Sequence, residues 1–275
     1  MLLYGTDDKG VQGGKMYYEV WDVENYEHHL PENHELKKHT TDTNIFCSVL
    51  ATDVVTGDVI IIGGDDDKNF GVPDVNLFDV ETHEISKLGG MHYARWYASS
   101  ANLPNGDVFI VGGKNTEAQG GGSAIPEVWS PITKEFRALP GAKVDSISEN
   151  SLTGDAWWYP HLYVNSVGDI IIIIGEGEGT AIYHVGLEAE DGSIERITKV
   201  KPFSSDKLGA SLMYNIDQVA FLANDGWLWV ADISEVRDPI FTKTMDLGQI
   251  RTNAAMSSLP DGRVIITGGA DAPGG

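Results

Sequence analysis

The chain repeats one phrase four times, and this repeat constrains its fold more than any other feature. The phrase is a short strand-like run, a turn closed by glycine, an apolar run and a glycine pair. It reads CSVLATDVVTGDVIIIGG, YASSANLPNGDVFIVGG, YPHLYVNSVGDIIIIIGEG and NAAMSSLPDGRVIITGG. The glycine pairs stand at 63–64, 112–113 and 268–269, and Gly175 ends the weaker third copy. The first two pairs are 49 residues apart. A unit of this length made of short strands buries its apolar faces only by stacking on neighbouring units.

Outer strands complete each unit. NLFDV and EISKL follow the first glycine pair, and EVWSP and EFRAL follow the second, joined by the turns ETH and ITK. Four strands per unit at this period predict an all-β, kelch-type β-propeller. Four full blades are expected, at 44–90, 91–140, 150–199 and 208–247, the fourth built on the degenerate ASLMYNIDQVAFLANDGWLWVADI. Residues 1–30 read as the outer part of an earlier blade. The last unit reaches GGADAPGG without outer strands, so residues 1–275 are read as a single incomplete propeller domain with partial blades at both ends. No amphipathic helix is expected.

Composition narrows the partners. The chain has 41 acidic against 19 basic residues, a net charge of −22. Nucleic acid and anionic membrane surfaces are disfavoured, because both are bound through Lys and Arg. The longest apolar run, DIIIIIGEG, is strand-sized, and MLLYGTDDKG lacks the basic and apolar regions of an export signal.

The lone cysteine, Cys47, falls in the first phrase. Aligned on the turn glycines, Tyr97 lies nine residues before Gly106, Tyr159 nine before Gly168 and Asn253 nine before Gly262. Cys47 lies ten before Gly57, and TDVVTGD is one residue longer than NLPNGD. With the extra residue placed in the turn, Cys47, Tyr97, Tyr159 and Asn253 share one position near the start of each inner strand. Cys47 and Tyr97, on adjacent blades, should then approach one another.

These phrases carry a family resemblance. FCSVLATDVVTGDVIIIGG followed by MHYARWYASSANLPNGDVFIVGG resembles the copper radical oxidases, the family of galactose oxidase and glyoxal oxidase. The likeness continues through AWWYPHLYVNSVGDIIIIIG, GASLMYN and IRTNAAMSSLPDGRVIITGG. The resemblance implies that Cys47 forms a thioether with Tyr97, and that Tyr97 binds copper and carries a radical. It implies oxidation of a small alcohol or aldehyde with O2 reduced to H2O2. It also implies an axial Tyr-His pair on a later blade, a second His in a C-terminal β-sandwich, and a mostly extracellular family. The inner-strand register here offers no such Tyr-His phrase. Tyr183-His184 falls after its blade's glycine pattern, on an outer strand, and is rejected as the ligand pair. Lys114-Asn115 stands where galactose oxidase has a stacking Trp, which points toward the glyoxal oxidase-like branch. The chain is thus expected to supply one of four copper ligands and to be inactive by itself. The alternative is a non-catalytic propeller serving as a binding scaffold; a propeller glycosidase or lyase has no matched carboxylate pair behind it.

The remaining candidates are weaker. Arg95 shares the Tyr97 face of an alternating strand, and either lines the mouth or forms a structural ion pair. Tyr159 and His161 alternate onto one face and could contact substrate. HHLPENHELKKH (28–39) lacks closed zinc-site spacing and reads as a solvated loop. GGDDDKNFGVPD (63–74) lacks the calcium-loop order and reads as a blade turn. GEGEG (175–179) carries two carboxylates and no lysine, against phosphate binding.

Overall fold

The computed structural model describes residues 1–4, 17–23, 34–148, 156–176, 179–200, 209–223 and 225–270. They divide into two compact units. One comprises Met1–Leu139, Ile147–Asn150 and Trp157–Tyr159; the other Pro140–Ser146, Ser151–Ala156 and Pro160–Gly275. Nearly all the described structure is antiparallel strand. A 3-10 turn at Pro140–Ala142 and one helical turn, α1 (Asp145–Ser148), are the exceptions.

The first unit opens with a three-stranded sheet, β1 (Leu2–Tyr4), β2 (Tyr17–Trp21) and β3 (His34–Lys38). β3 corrects the expectation of a solvated loop over 28–39, since His34–Lys38 pairs along β2. Residues 28–33 lie outside the described residues. The next sheet runs in chain order through β4 (Val49–Thr52), β5 (Val59–Ile62), β6 (Val72–Phe78), β7 (Ile85–Asn102), β8 (Val108–Lys114), β9 (Glu127–Trp129) and β10 (Phe136–Ala138). The expected blade border at 90/91 falls inside one strand. The first half of β7 pairs with β6 and the second half with β8. One strand is therefore the outer edge of one blade and the inner edge of the next.

The second unit holds two four-stranded sheets and a hairpin. They are β11 (His161–Val164) to β14 (Ser193–Val200) through β12 (Ile170–Glu176) and β13 (Gly179–Gly186); β15 (Ser211–Asn215) to β18 (Ile240–Asp246) through β16 (Gln218–Leu222) and β17 (Trp227–Asp232); and β19 (Thr252–Ser258) with β20 (Val264–Ala270). No helix among the described residues is long and apolar enough to cross a membrane.

The all-apolar inner runs follow from burial on both sheet faces. Ile60 and Ile62 pack with Val75, Val108, Ile110 and Trp129, whereas Ile61 packs on the opposite face with Tyr18, Ile45 and Phe78. Side chains alternate with a period of two, so one strand feeds two cores. All three isoleucines are at most 1% exposed, and each such side chain stabilises by about 1.5–3 kcal/mol. In the second unit Ile171 and Ile173 meet Val219 and Phe221 in the same way.

The turns explain the register. Gly57, Gly106, Gly168 and Gly262 all take φ between 81° and 93°, a region that glycine enters without steric cost. In the last three, the glycine N–H reaches back three residues, to Leu103, Asn165 and Leu259; Gly57 N–H reaches back four, to Asp53. The additional residue of the first copy therefore sits in its turn.

Candidate functional site

Four residues that share one repeat position share one unusual backbone conformation. Cys47, Tyr97, Tyr159 and Asn253 have φ of 55°, 63°, 45° and 57°. Non-glycine residues rarely adopt this left-handed region, and a bulky residue there needs support from its surroundings. Main-chain bonds supply it in the first unit. Tyr97 N–H donates to Cys47 O at 3.1 Å, and Tyr159 N–H donates to Tyr97 O at 3.0 Å. The entry points of successive inner strands are thus stitched together.

The side chains follow. The Tyr97 hydroxyl hydrogen-bonds the Cys47 sulfur. Burial pushes the Cys47 thiol up, and the bond to Tyr97 opposes that shift. Burial, then the Cys47 sulfur, raise the Tyr97 phenol above its ordinary value. The Asp65 carboxyl, 4% exposed, adds a negative field that raises both. Thiol and phenol are therefore both protonated at neutral pH, and removing an electron from Tyr97 also releases a proton.

Two further phenols complete the cluster. Tyr159 stands edge-on to Tyr97, with ring centroids 5.1 Å apart. Burial, then the negative charge that Cys47 would carry, raise its phenol. Tyr4 of β1 hydrogen-bonds Ser48 Oγ at 2.8 Å and has its phenol pushed up to about 12, chiefly by burial. Sequence reasoning missed Tyr4 because it lies outside the repeats. It also missed Trp158, whose indole stacks on Tyr97 at 4.9 Å and 21°. A signal existed: RWYA and WWYP put the same Trp-Tyr pair at the same register in two blades. The Lys114 ammonium, at the position where a stacking ring was sought, lies 4.1 Å from the Phe70 ring and 5.7 Å from Trp96.

Arg95 is not at a mouth. Its side chain is 0% exposed and donates to Gly112 O, Ser123 O, Ile125 O and Glu127 Oε2. The left-handed residue at Tyr97 interrupts the alternation on which a shared face depended. The structural ion pair is thus the outcome, and the substrate-contact expectation for Arg95 is corrected. His161, in the second unit, bonds Ser211 Oγ through Nδ1, and Ser211 Oγ also bonds the Tyr163 hydroxyl. Burial lowers the His161 imidazole to about 4, so it is neutral near pH 7. Tyr183 and His184 lie on β13, the third strand of their sheet, bonded to Ser146 and Asp169 respectively. The Asp65–Asp67 carboxylates are all engaged: Asp65 accepts from Asn69 N–H and Asp66 from Lys68 and Phe70 N–H within the turn, and Asp67 accepts from Asn44 Nδ2 before it. Gly177 and Glu178 of GEGEG lie outside the described residues.

The donor set fits part of a copper site. Tyr97 presents an oxygen donor beside the Cys47 thiol, but no group of three His, Cys, Asp or Glu side chains converges among the described residues.

No family model matches the chain. Two curated sequences from Gibberella zeae, both named galactose oxidase, are 32% identical to it over 105 residues, 38% of this chain and 14% of theirs. A solved fungal alcohol oxidase of the AA5 family, described as catalytically diverse and in complex with copper, superposes with a TM-score of 0.75. That likeness covers 94% of this chain and 53% of the neighbour at 18% identity, so it speaks for the fold, and it supports the all-β propeller reading. The chain spans about half the length of this neighbour and a smaller part of the curated relatives.

Proposed function

We infer that this chain is the propeller part of a copper radical oxidase, the family to which its sequence phrases, its curated relatives and its fold neighbour all point. The complete protein oxidises a small alcohol or aldehyde and reduces O2 to H2O2. One observation carries the reading: Cys47 and Tyr97 occupy the same left-handed position on adjacent inner strands, with sulfur and hydroxyl in hydrogen-bond contact. A main-chain bond holds the two strands in this register. The arrangement preorganises bond formation between the sulfur and the ring carbon beside the hydroxyl. That step removes the thiol hydrogen and one ring hydrogen, and O2 accepts both as H2O2.

A sulfur substituent delocalises a phenoxyl radical and makes Tyr97 easier to oxidise. Copper, when bound, supplies the second oxidising equivalent for a two-electron oxidation. Tyr97 is the ligand that the described residues would contribute, through its phenol oxygen beside Cys47. Lys114 and Asn115 favour the glyoxal oxidase-like branch, with Trp158 providing the ring against Tyr97.

The test uses the full-length protein expressed in air with copper. A Cys47–Tyr97 peptide lighter by two hydrogens, together with peroxide release from an alcohol and aldehyde panel, is the expected result. Separate, unmodified Cys47 and Tyr97 peptides after aerobic copper loading would overturn the reading and leave a binding scaffold.

A further inference from the structure

Tyr97 sits within a run of oxidisable rings. Trp158 stacks on it at 4.9 Å and 21°, and Trp157 stacks on Trp158 at 5.7 Å and 14°. Trp96 also adjoins Tyr97, at 4.2 Å and 49°. The two neighbours of Tyr97 differ in their surroundings. Trp96 is 7% exposed, and its indole N–H has no partner. The Lys114 ammonium lies over its ring at 5.7 Å. A cation over an aromatic face stabilises the neutral ring and penalises positive charge placed on it. Trp158 is 51% exposed and lies nearly parallel to Tyr97. Of the two indoles touching Tyr97, Trp158 is therefore the one that can hold a transient positive charge and meet a soluble oxidant.

We propose that Trp158 is a one-electron relay between Tyr97 and outer-sphere oxidants in solution, with Trp157 sharing the charge behind it. An oxidant of the hexachloroiridate(IV) class takes one electron from Trp158 and becomes iridium(III). The Trp158 radical cation takes one electron from Tyr97, and the Tyr97 hydroxyl proton leaves to water. The products are a Tyr97 radical, neutral Trp158, one proton and reduced oxidant. The proposal rests on the redox role of Tyr97 and adds the route by which single electrons reach it.

The experiment mixes full-length protein, prepared without copper, with hexachloroiridate(IV) and follows the tyrosyl radical by freeze-quench electron paramagnetic resonance, with ring-deuterated tyrosine to identify the signal. Trp158→Phe keeps a stacked ring but removes an oxidisable one, and should slow radical formation at Tyr97 at least tenfold. Trp96→Phe should leave the rate within twofold of the parent. Equal rates in the parent and Trp158→Phe would overturn the relay, as would equal slowing in both variants. Thermal melts of both variants identify any loss of packing, and Trp158→Tyr, which restores an oxidisable ring, should recover the rate. Intact mass of the same proteins after copper loading reads the cross-link separately. Its absence in every variant sinks the oxidase reading, whereas an unchanged cross-link with unchanged radical kinetics sinks only the relay.

Discussion

Arg95 shows how much one buried residue can carry. Its guanidinium satisfies three main-chain carbonyls and Glu127, and Glu127 Oε1 in turn accepts from His92 N–H at 2.7 Å. Arg95→Met should destabilise the protein by about 3–5 kcal/mol, because it removes the cation from a fully buried ion pair and leaves Glu127 only its bonds to His92. Arg95→Met with Glu127→Leu should recover part of that loss, and urea titration of the two variants checks both. Gly64 is equally unforgiving: a Cβ there would lie 2.1 Å from Asn44 O, at φ +143°. Gly64→Ala should lower the melting temperature well beyond the few degrees of an ordinary surface change. The repeat showed that Cys47 and Tyr97 were equivalent, yet it did not reveal Arg95's burial. Strand alternation placed Arg95 beside Tyr97, and the left-handed backbone of Tyr97 breaks that rule. Nothing local in RWYA announces such a kink; it depends on the neighbouring blade's carbonyl.

At the scale of elements, turn length and inner-strand register are separable. The first turn carries one more residue than the others, and the strands after it still align. Deleting Val55, which is 61% exposed, should convert that turn to the three-residue form and cost at most about 1 kcal/mol, with the Cys47–Tyr97 contact preserved. Inserting one residue between Val49 and Leu50 should instead unfold the blade, because a one-residue slip turns every side chain to the opposite face. Denaturant melts of the two variants distinguish the cases. The strands and turns were legible in sequence because glycine and apolar alternation mark them directly. The continuity of β7 across two blades was not, since Gly89-Gly90 reads as a boundary and the extended chain passes through it. His161 belongs to this scale too. Its pKa is about 4 in the folded state against 6.5 for the free side chain, so unfolding takes up a proton as pH falls through that window. The associated stability is complete above about pH 6.5 and is lost progressively down to pH 4, by up to about 3 kcal/mol. Comparing urea midpoints of the parent and His161→Gln at pH 7 and pH 4.5 measures it: the parent should lose more stability.

For the whole molecule, charge is the dominant collective property. A net charge of −22 spreads repulsion over the folded surface. Raising sodium chloride from ~10 mM to ~150 mM contracts the screening length from about 30 Å to about 8 Å and should raise the melting temperature. A melt series at constant pH gives the answer, and a temperature that falls with salt would contradict it. The fold class was legible at this scale because four copies of one phrase leave few alternatives. The aromatic company of Tyr97 was less so. Trp157 and Trp158 arrive from a segment that precedes the third inner strand, and only the repeated Trp-Tyr pair hints at the meeting. The main-chain stitch from Cys47 to Tyr97 to Tyr159 has a practical corollary. Backbone atoms hold these three positions in register, so their side chains are exchangeable cargo on a fixed frame. Histidines or other donors placed at 47, 97 and 159 would stand on backbone positions already bonded to one another, a ready mount for grafted metal chemistry.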